Sequence, residues 1–233
     1  MVETTKDRLA RLPFKWPWAD EVEHLRREIL SREDYDPATL FVFGQIMVQA
    51  LLSLLRAVES EFGEQGQKVC VATLKQAGYE VASQCFEGAE RPEGMSDSEL
   101  ASMLMTLING VWYASPEEAG VNEDEQGFWC DILWCPVGKT FSRFDCRIHR
   151  YFGDGAFRAA MDKFGTAKFT TVLESLIPAG SDRCRFRWQV RQPNEPNIWA
   201  AHSRALEEKA LRRATGEAGQ NRGSTSSAIS PSR

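Results

Sequence analysis

The chain has 233 residues, 42% of them hydrophobic and 26% charged, with a formal net charge of −5. These values fit a soluble globular chain long enough to bury a core, and they argue against the basic footprint of a nucleic-acid-binding protein. The six cysteines include no CxxC pair and no secretion signal is read at the N-terminus. The expectation is therefore a cytoplasmic protein with reduced thiols and no disulfide framework.

In chain order the first half reads as helical. "WADEVEHLRREILSRE" spaces Val22, Leu25 and Ile29 on one helical face after Pro17. Asp36 and Pro37 have the residue types of an N-cap and a first helical position, and the helix they start runs to about Phe62, before Gly63. Its opening run, "LFVFGQIMVQALLSLL", spans Leu40 to Leu55. It falls short of the roughly 20 apolar residues of a membrane span and is read as a buried helix, with no membrane partner. A third helix, from about Gln65 to Phe86, is expected to turn Val69, Leu74, Ala77 and Val81 inward. In "SDSELASMLMTLINGVW", Ser96 and Glu99 have capping-box spacing, and Leu100, Met103, Leu104, Leu107 and Ile108 form an apolar stripe.

The period then changes to two. "GFWCDILWCP" reads as a strand ending at Cys135–Pro136, with Trp129, Asp131, Leu133 and Cys135 on one side and Phe128, Cys130, Ile132 and Trp134 on the other. A helix over about Ser142 to Phe164 follows, read as broken near "FGDGAF". "AKFTTVLESLIP" and "CRFRWQVR" form a hairpin across "AGSDR", the second strand setting Cys184, Phe186, Trp188 and Val190 against a basic outer face. Glu174 is expected to pair with Arg187 across it. The whole is a single α+β domain over residues 1–192, with N-terminal helices over 18–112 packed on a small antiparallel sheet, a strand–helix–hairpin unit over 127–191 and a C-terminal β-hairpin. A polar tail over 193–233 begins helical and ends disordered.

The chemistry-bearing residues crowd into "WCDILWCPVGKTFSRFDCRIHRYF". On a helix, Cys146 and Asp145 lie three and four residues before His149, so either can touch it. A carboxylate orienting an imidazole beside a thiol is the chemistry of an activated nucleophile; the alternative is Asp145 serving the helix start with His149 half exposed. Cys135 is either a reactive thiol or packing under a loop. Cys135, Cys146, His149 and Cys184 have the atom types of a zinc site, but their spacing lacks close ligand pairs, so no cofactor is assigned. "GKT" lacks the upstream glycine of a phosphate-binding loop.

Taken together, Cys135–Pro136, Cys146, "FGDGAF" and the hairpin "ESLIPAGSDRCRFRW" resemble the L-2-amino-thiazoline-4-carboxylic acid hydrolase family over about Gly127 to Trp188. That family is similar in architecture to vinyl-reductase-type small-ligand domains. The resemblance implies a pocket that opens a small heterocycle at a carbon–nitrogen bond, and Cys135, Cys146 and Cys184 are the positions that carry over. His149 departs from the family, where an acidic residue is more usual. On this reading the catalytic candidates are Cys146 or Cys135 as nucleophile, His149 as acid or base and Asp145 as its orienter. Trp129, Asp131, Arg147, Cys184 and Arg187 are the substrate-binding candidates, with Arg147, Arg185 or Arg187 as carboxylate clamps. The expected partner is a small-molecule substrate, with room for a homo-oligomer; the alternative is a non-catalytic small-ligand or metal-binding sensor or carrier.

Overall fold

The computed structural model describes residues 4–12, 14–165 and 167–223. It is an α+β domain in which helices pack on a four-stranded antiparallel sheet, as the change of period predicts. The chain opens with α1 (Thr5–Arg11), whose Thr4 cap and Asp7 form a reciprocal capping box that the sequence reading passed over. α2 (Ala19–His24) continues into one wide π-helical turn at Leu25–Ile29. α3 (Ala38–Cys85) is 48 residues long but leaves helical geometry at Gly63, where φ is 57°. The expected break thus falls where read, and only glycine adopts that backbone without strain. Asp36 caps the start of α3, its carboxylate accepting from the Ala38 N–H at 2.9 Å.

Two expectations about α3 are corrected. The run from Leu40 to Leu55 is not a buried helix: Leu52 and Leu55 are buried, while Leu40, Phe43, Ile46, Met47 and Leu54 face solvent. In its second half the inward row is Gly66, Gln67, Cys70, Leu74, Gly78 and Ala82; Leu74 faces inward as expected, Ala77 and Val81 are only half-buried, and Val69 is exposed. Small residues decide this. A Cβ on Gly78 would run into the Phe152 carbonyl, and one on Gly155 into the Lys75 carbonyl. The two helices therefore approach at a glycine-to-glycine crossing, and the apolar pattern alone mislocates the face.

α4 (Asp97–Leu107) is capped by Ser96, whose hydroxyl accepts from the Glu99 N–H at 3.1 Å, and it ends in a π turn at Ile108–Trp112. Its whole predicted stripe is buried. The sheet has the order β1–β2–β4–β3, with β1 (Glu117–Val121), β2 (Gly127–Ile132), β3 (Phe169–Ser175) and β4 (Cys184–Val190). β1 escapes sequence reading because "EEAGV" neither alternates nor favours strand; Gly120 belongs there because the Trp129 indole lies against it, 3.0 Å from where a Cβ would stand. Phe128, Cys130, Ile132, Cys184 and Trp188 form the inner face. Phe128 and Trp188 stack in parallel with centroids 4.6 Å apart.

The predicted hairpin is β3–β4, antiparallel throughout. The Glu174–Arg187 pair forms at 2.6 Å. It does so diagonally: Val172 is directly opposite Arg187, and a bulge between Leu173 and Ser175 carries Glu174 past the register.

α5 (Arg147–Phe164) is continuous through "FGDGAF", against the expected break. Gly155 is there for the crossing of α3, not for a kink, while Gly153 has only the Tyr113 hydroxyl near it. α6 (Ile198–Gly223) extends the tail's helical start well beyond a surface segment. Trp199 donates to Asp154 at 3.1 Å, Gln67 donates to the Glu207 carbonyl at 3.1 Å, and Ala210 is buried. The rest of the disorder expectation, residues 224–233, lies outside the described residues.

Candidate functional site: a cluster of three thiols

β2 ends at Ile132, three residues short of the expected strand end, so Cys135 sits in a loop and Trp134 turns out to solvent. This loop is tied to α3: Gln45 donates to the Pro136 carbonyl at 3.0 Å, and Val137 and Phe141 pack against Leu52 and Leu55. Cys135 and Cys146 belong to the same apolar cluster. Cys184, the first residue of β4, accepts from the Ile177 N–H at 3.2 Å, and the Ile177 side chain covers Gly138 in the Cys135 loop. A loop, a helix start and a strand thus place Cys135 and Cys146 in one apolar cluster and Cys184 in the adjoining sheet cluster, near enough that charge on one thiol would raise the others. Cys130 points into the core on the same inner face as Cys184, so the strand does not turn it away from that thiol as expected; it is fully buried against Asn109.

All six cysteines are free. Burial pushes the Cys146 thiol up to about 12 and the Cys184 thiol up to about 11, and raises Cys135 as well. The cluster is therefore uncharged at neutral pH. Among the described residues no group of three or more His, Cys, Asp or Glu has the arrangement of a metal site.

His149 lies one helical turn beyond Cys146 but faces away from the expected chemistry. Its ring stacks on Tyr113 at 4.5 Å and lies 5.3 Å from Phe141. Burial holds its pKa down at about 4, so the imidazole is neutral at pH 7. Among the described residues no hydrogen bond joins it to Cys146 or Asp145. Asp145 has other partners: it accepts from the Ser142 N–H and hydroxyl at 2.8 and 2.7 Å and from Arg56 at 2.9 Å. It caps the turn before α5 and does not orient His149, because the short carboxylate reaches the N–H groups ahead of it first.

The expected carboxylate clamps are likewise committed within the fold. Arg147 is 2% exposed and holds Glu59, itself 1% exposed, with both terminal nitrogens. It lines a cavity of about 290 Å³ with Arg56, Glu59, Ser60, Phe144 and Asp145. On the outer sheet face Asp131 is buried beneath Arg185 and Arg183, with Arg185 bonding both carboxylate oxygens at 2.7 and 2.5 Å. Hydrogen bonds from Arg185 hold the Asp131 carboxyl below its usual range. Trp129, Arg185, Arg187 and Asn122 line a second hollow of about 300 Å³. Neither hollow is lined by the three thiols. The candidates thus divide into a thiol cluster on the inner side and a Trp129–Asp131–Arg187 group on the outer.

Sequence reasoning missed a buried polar group between α1, α4 and β1. Arg8 donates to Thr106 at 2.9 Å, and Asn109 donates to Glu117 at 2.6 Å and approaches the Cys130 sulfur at 3.7 Å. The signal available was the polar set Ser102, Thr106 and Asn109 within the apolar stripe of α4.

The fold and site define a helix-packed antiparallel sheet with three free thiols at one end, Cys184 buried and Cys135 and Cys146 half-buried. Over 205 residues the chain is 40% identical to an uncharacterized protein of Archaeoglobus fulgidus, an alignment covering 85% of this chain and 89% of the archaeal one. The chain belongs to the same family as that archaeal protein. No family profile matches it, and no solved structure does.

Proposed function

We propose that the protein is a small-molecule hydrolase that opens a cyclic carbon–nitrogen bond in an amidine, imide or thiazoline-like substrate, with Cys135 as the attacking thiol. The observation that carries this reading is the meeting of Cys135, Cys146 and Cys184, the three positions of the hydrolase-like motif, from a loop, a helix start and a strand. Cys135 and Cys146 are both half-buried, and Cys135 is the one whose loop follows the exposed Leu133–Trp134 pair.

Because burial keeps the thiols protonated, the first step on an amidine or thiazoline-like substrate is addition of S–H across its C=N bond: sulfur bonds to the ring carbon, and the thiol proton passes to the ring nitrogen. The C–N bond then breaks as the lone pair of the exocyclic amino group forms a new C=N bond to the same carbon and one proton of that group passes to the departing ring nitrogen, which leaves as an amine. Water adds to that carbon, its oxygen staying there as the new carbonyl, and its protons go to the nitrogen and to the displaced cysteine sulfur, restoring the thiol. On an imide the same addition is made to the C=O bond. A basic ring nitrogen in the substrate thereby does what a paired imidazole does in a conventional thiol enzyme.

A second reading is a small-ligand sensor or carrier. It is favoured by the neutral, aromatic-packed state of His149, which leaves the thiols without a protein base.

The test is incubation with L-2-amino-thiazoline-4-carboxylate, following its loss by chromatography. Turnover is expected, falling at least about 100-fold in Cys135→Ser and unchanged in Cys85→Ser. Full turnover by Cys135→Ser sinks the nucleophile assignment. Saturable binding without loss of the compound sinks the enzyme reading in favour of the carrier.

A further inference from the structure

The first half of α3 holds an apolar face on which nothing among the described residues packs. Leu40, Phe43, Ile46, Met47, Leu51 and Leu54 are between 37 and 62% exposed. Phe41, 47% exposed, extends the patch to Trp134, 48% exposed, with ring centroids 6.1 Å apart. At roughly 200 Å² for a fully exposed large apolar residue these eight present roughly 800 Å². The largest apolar patch on a typical monomer is about 300–600 Å², whereas one side of a standard protein–protein interface is about 800 Å².

We infer that this face is the two-fold interface between two copies of the chain. Leu40, Phe43, Met47, Ala50, Leu54 and Ala57 follow the alternating three- and four-residue spacing of a helix–helix seam. From Pro37 to Leu55 there is no charged residue, so the face meets its own copy without like-charge repulsion. Asp36 and Arg56 bracket it, equally far on either side of Ile46. An antiparallel pairing centred there sets the exposed Asp36 of one copy at the level of Arg56 of the other, and Arg56 keeps half its side chain exposed beside Asp145. A two-fold axis requires this self-complementary arrangement.

Lipid is the competing occupant, since α3 is long and apolar enough to cross a membrane. Two observations weigh against it. The side of the helix carrying Gln45, Leu52 and Leu55 is taken by the Cys135 loop and the core, so lipid cannot surround it. The charged residues leading into the helix, Arg32, Glu33, Asp34 and Asp36, are net acidic, unlike the Lys- and Arg-rich polar face of surface-binding helices. The inference is independent of the hydrolase reading, although the patch ends next to Cys135.

Sedimentation equilibrium of the full chain at micromolar concentration decides it. The expected mass is twice 26.3 kDa, falling to that of one chain in Phe43→Glu/Leu54→Glu with an unchanged circular-dichroism spectrum. In Ile46→Cys, mild oxidation is expected to give a peptide linked through residue 46 of both copies. That cross-link decides alone if the double variant does not fold. A wild-type monomer with no such peptide overturns the inference. So does a chain that is monomeric in water and co-sediments with neutral phosphatidylcholine vesicles, which makes lipid the occupant.

Discussion

The imidazole of His149 lies flat on the ring of Tyr113, with planes 17° apart, while the Tyr113 hydroxyl donates to the carbonyl of His149 itself. One residue thus holds both the side chain and the backbone of the other, and burial of the site holds the imidazole neutral. A histidine kept neutral by burial is a stability element with a definite pH signature.

In the unfolded chain His149 titrates near its ordinary 6.5, and in the folded chain at about 4. Between these values the unfolded state binds more protons, so stability rises with pH. The contribution is complete above about pH 6.5 and is lost as pH falls toward 4. At 1.36 kcal/mol per pKa unit it is on the order of 3 kcal/mol. Urea unfolding at pH 7 and pH 4.5 should show this loss in the wild type and less of it in His149→Phe. Equal losses in both proteins would assign the slope to other groups.

Asp145→Asn separates the capping role from an orienting one. The amide keeps an acceptor for the Ser142 N–H but loses the charge facing Arg56, so a destabilisation of about 1–2 kcal/mol is expected. The His149 titration, followed by NMR, should not move. A shift of that titration by a unit or more would restore Asp145 as its partner.

The Glu59–Arg147 pair is the most deeply buried ion pair among the described residues. Arg147→Met leaves Glu59 buried without its two-pronged partner, Gln67 still donating to it, and a loss of about 3–5 kcal/mol is expected. The double variant Glu59→Met/Arg147→Met should recover much of that, because no uncompensated charge remains. Equal destabilisation in single and double variants would show that packing, not charge, is what the pair supplies.

The glycines of α5 should respond oppositely to a methyl group. Gly155→Ala drives its Cβ into the Lys75 carbonyl and should destabilise by several kcal/mol, since two helix backbones must separate. At Gly153 the nearest neighbour is the Tyr113 hydroxyl, 3.5 Å from a built Cβ. There alanine should be neutral or stabilising by up to about 1 kcal/mol through its better helix propensity. Thermal unfolding of the two variants checks the contrast.

Alkylation followed by peptide mapping reports the burial of the thiols. Cys85 and Cys130 are fully buried, and burial raises both thiols, Cys85 to about 11. They should react only on unfolding, while Cys135 reacts in the native protein and faster as pH rises. Early modification of Cys130 would mean that α1 and α4 open readily over the buried polar group.

The sequence by itself determined what depends on near neighbours. Periods of 3.6 and 2, the Ser96 and Asp36 caps, the stop at Gly63 and the hairpin of β3 and β4 are all local, and they sufficed for the α+β class. The inward side of β4 followed from alternation alone, whereas alternation did not place Cys135, which lies beyond the end of β2. Side-chain partners were decided by tertiary structure. Asp145 and His149 are four residues apart on paper, yet Arg56 and Tyr113, from α3 and the end of the α4 segment, take them. The apolar run of Leu40 to Leu55 looked like core because composition records hydrophobicity without saying whether anything covers it. Cys184 meets Cys135 and Cys146 only because β4 lies between β2 and β3 in the sheet, an order set by long-range pairing that no spacing in the chain expresses.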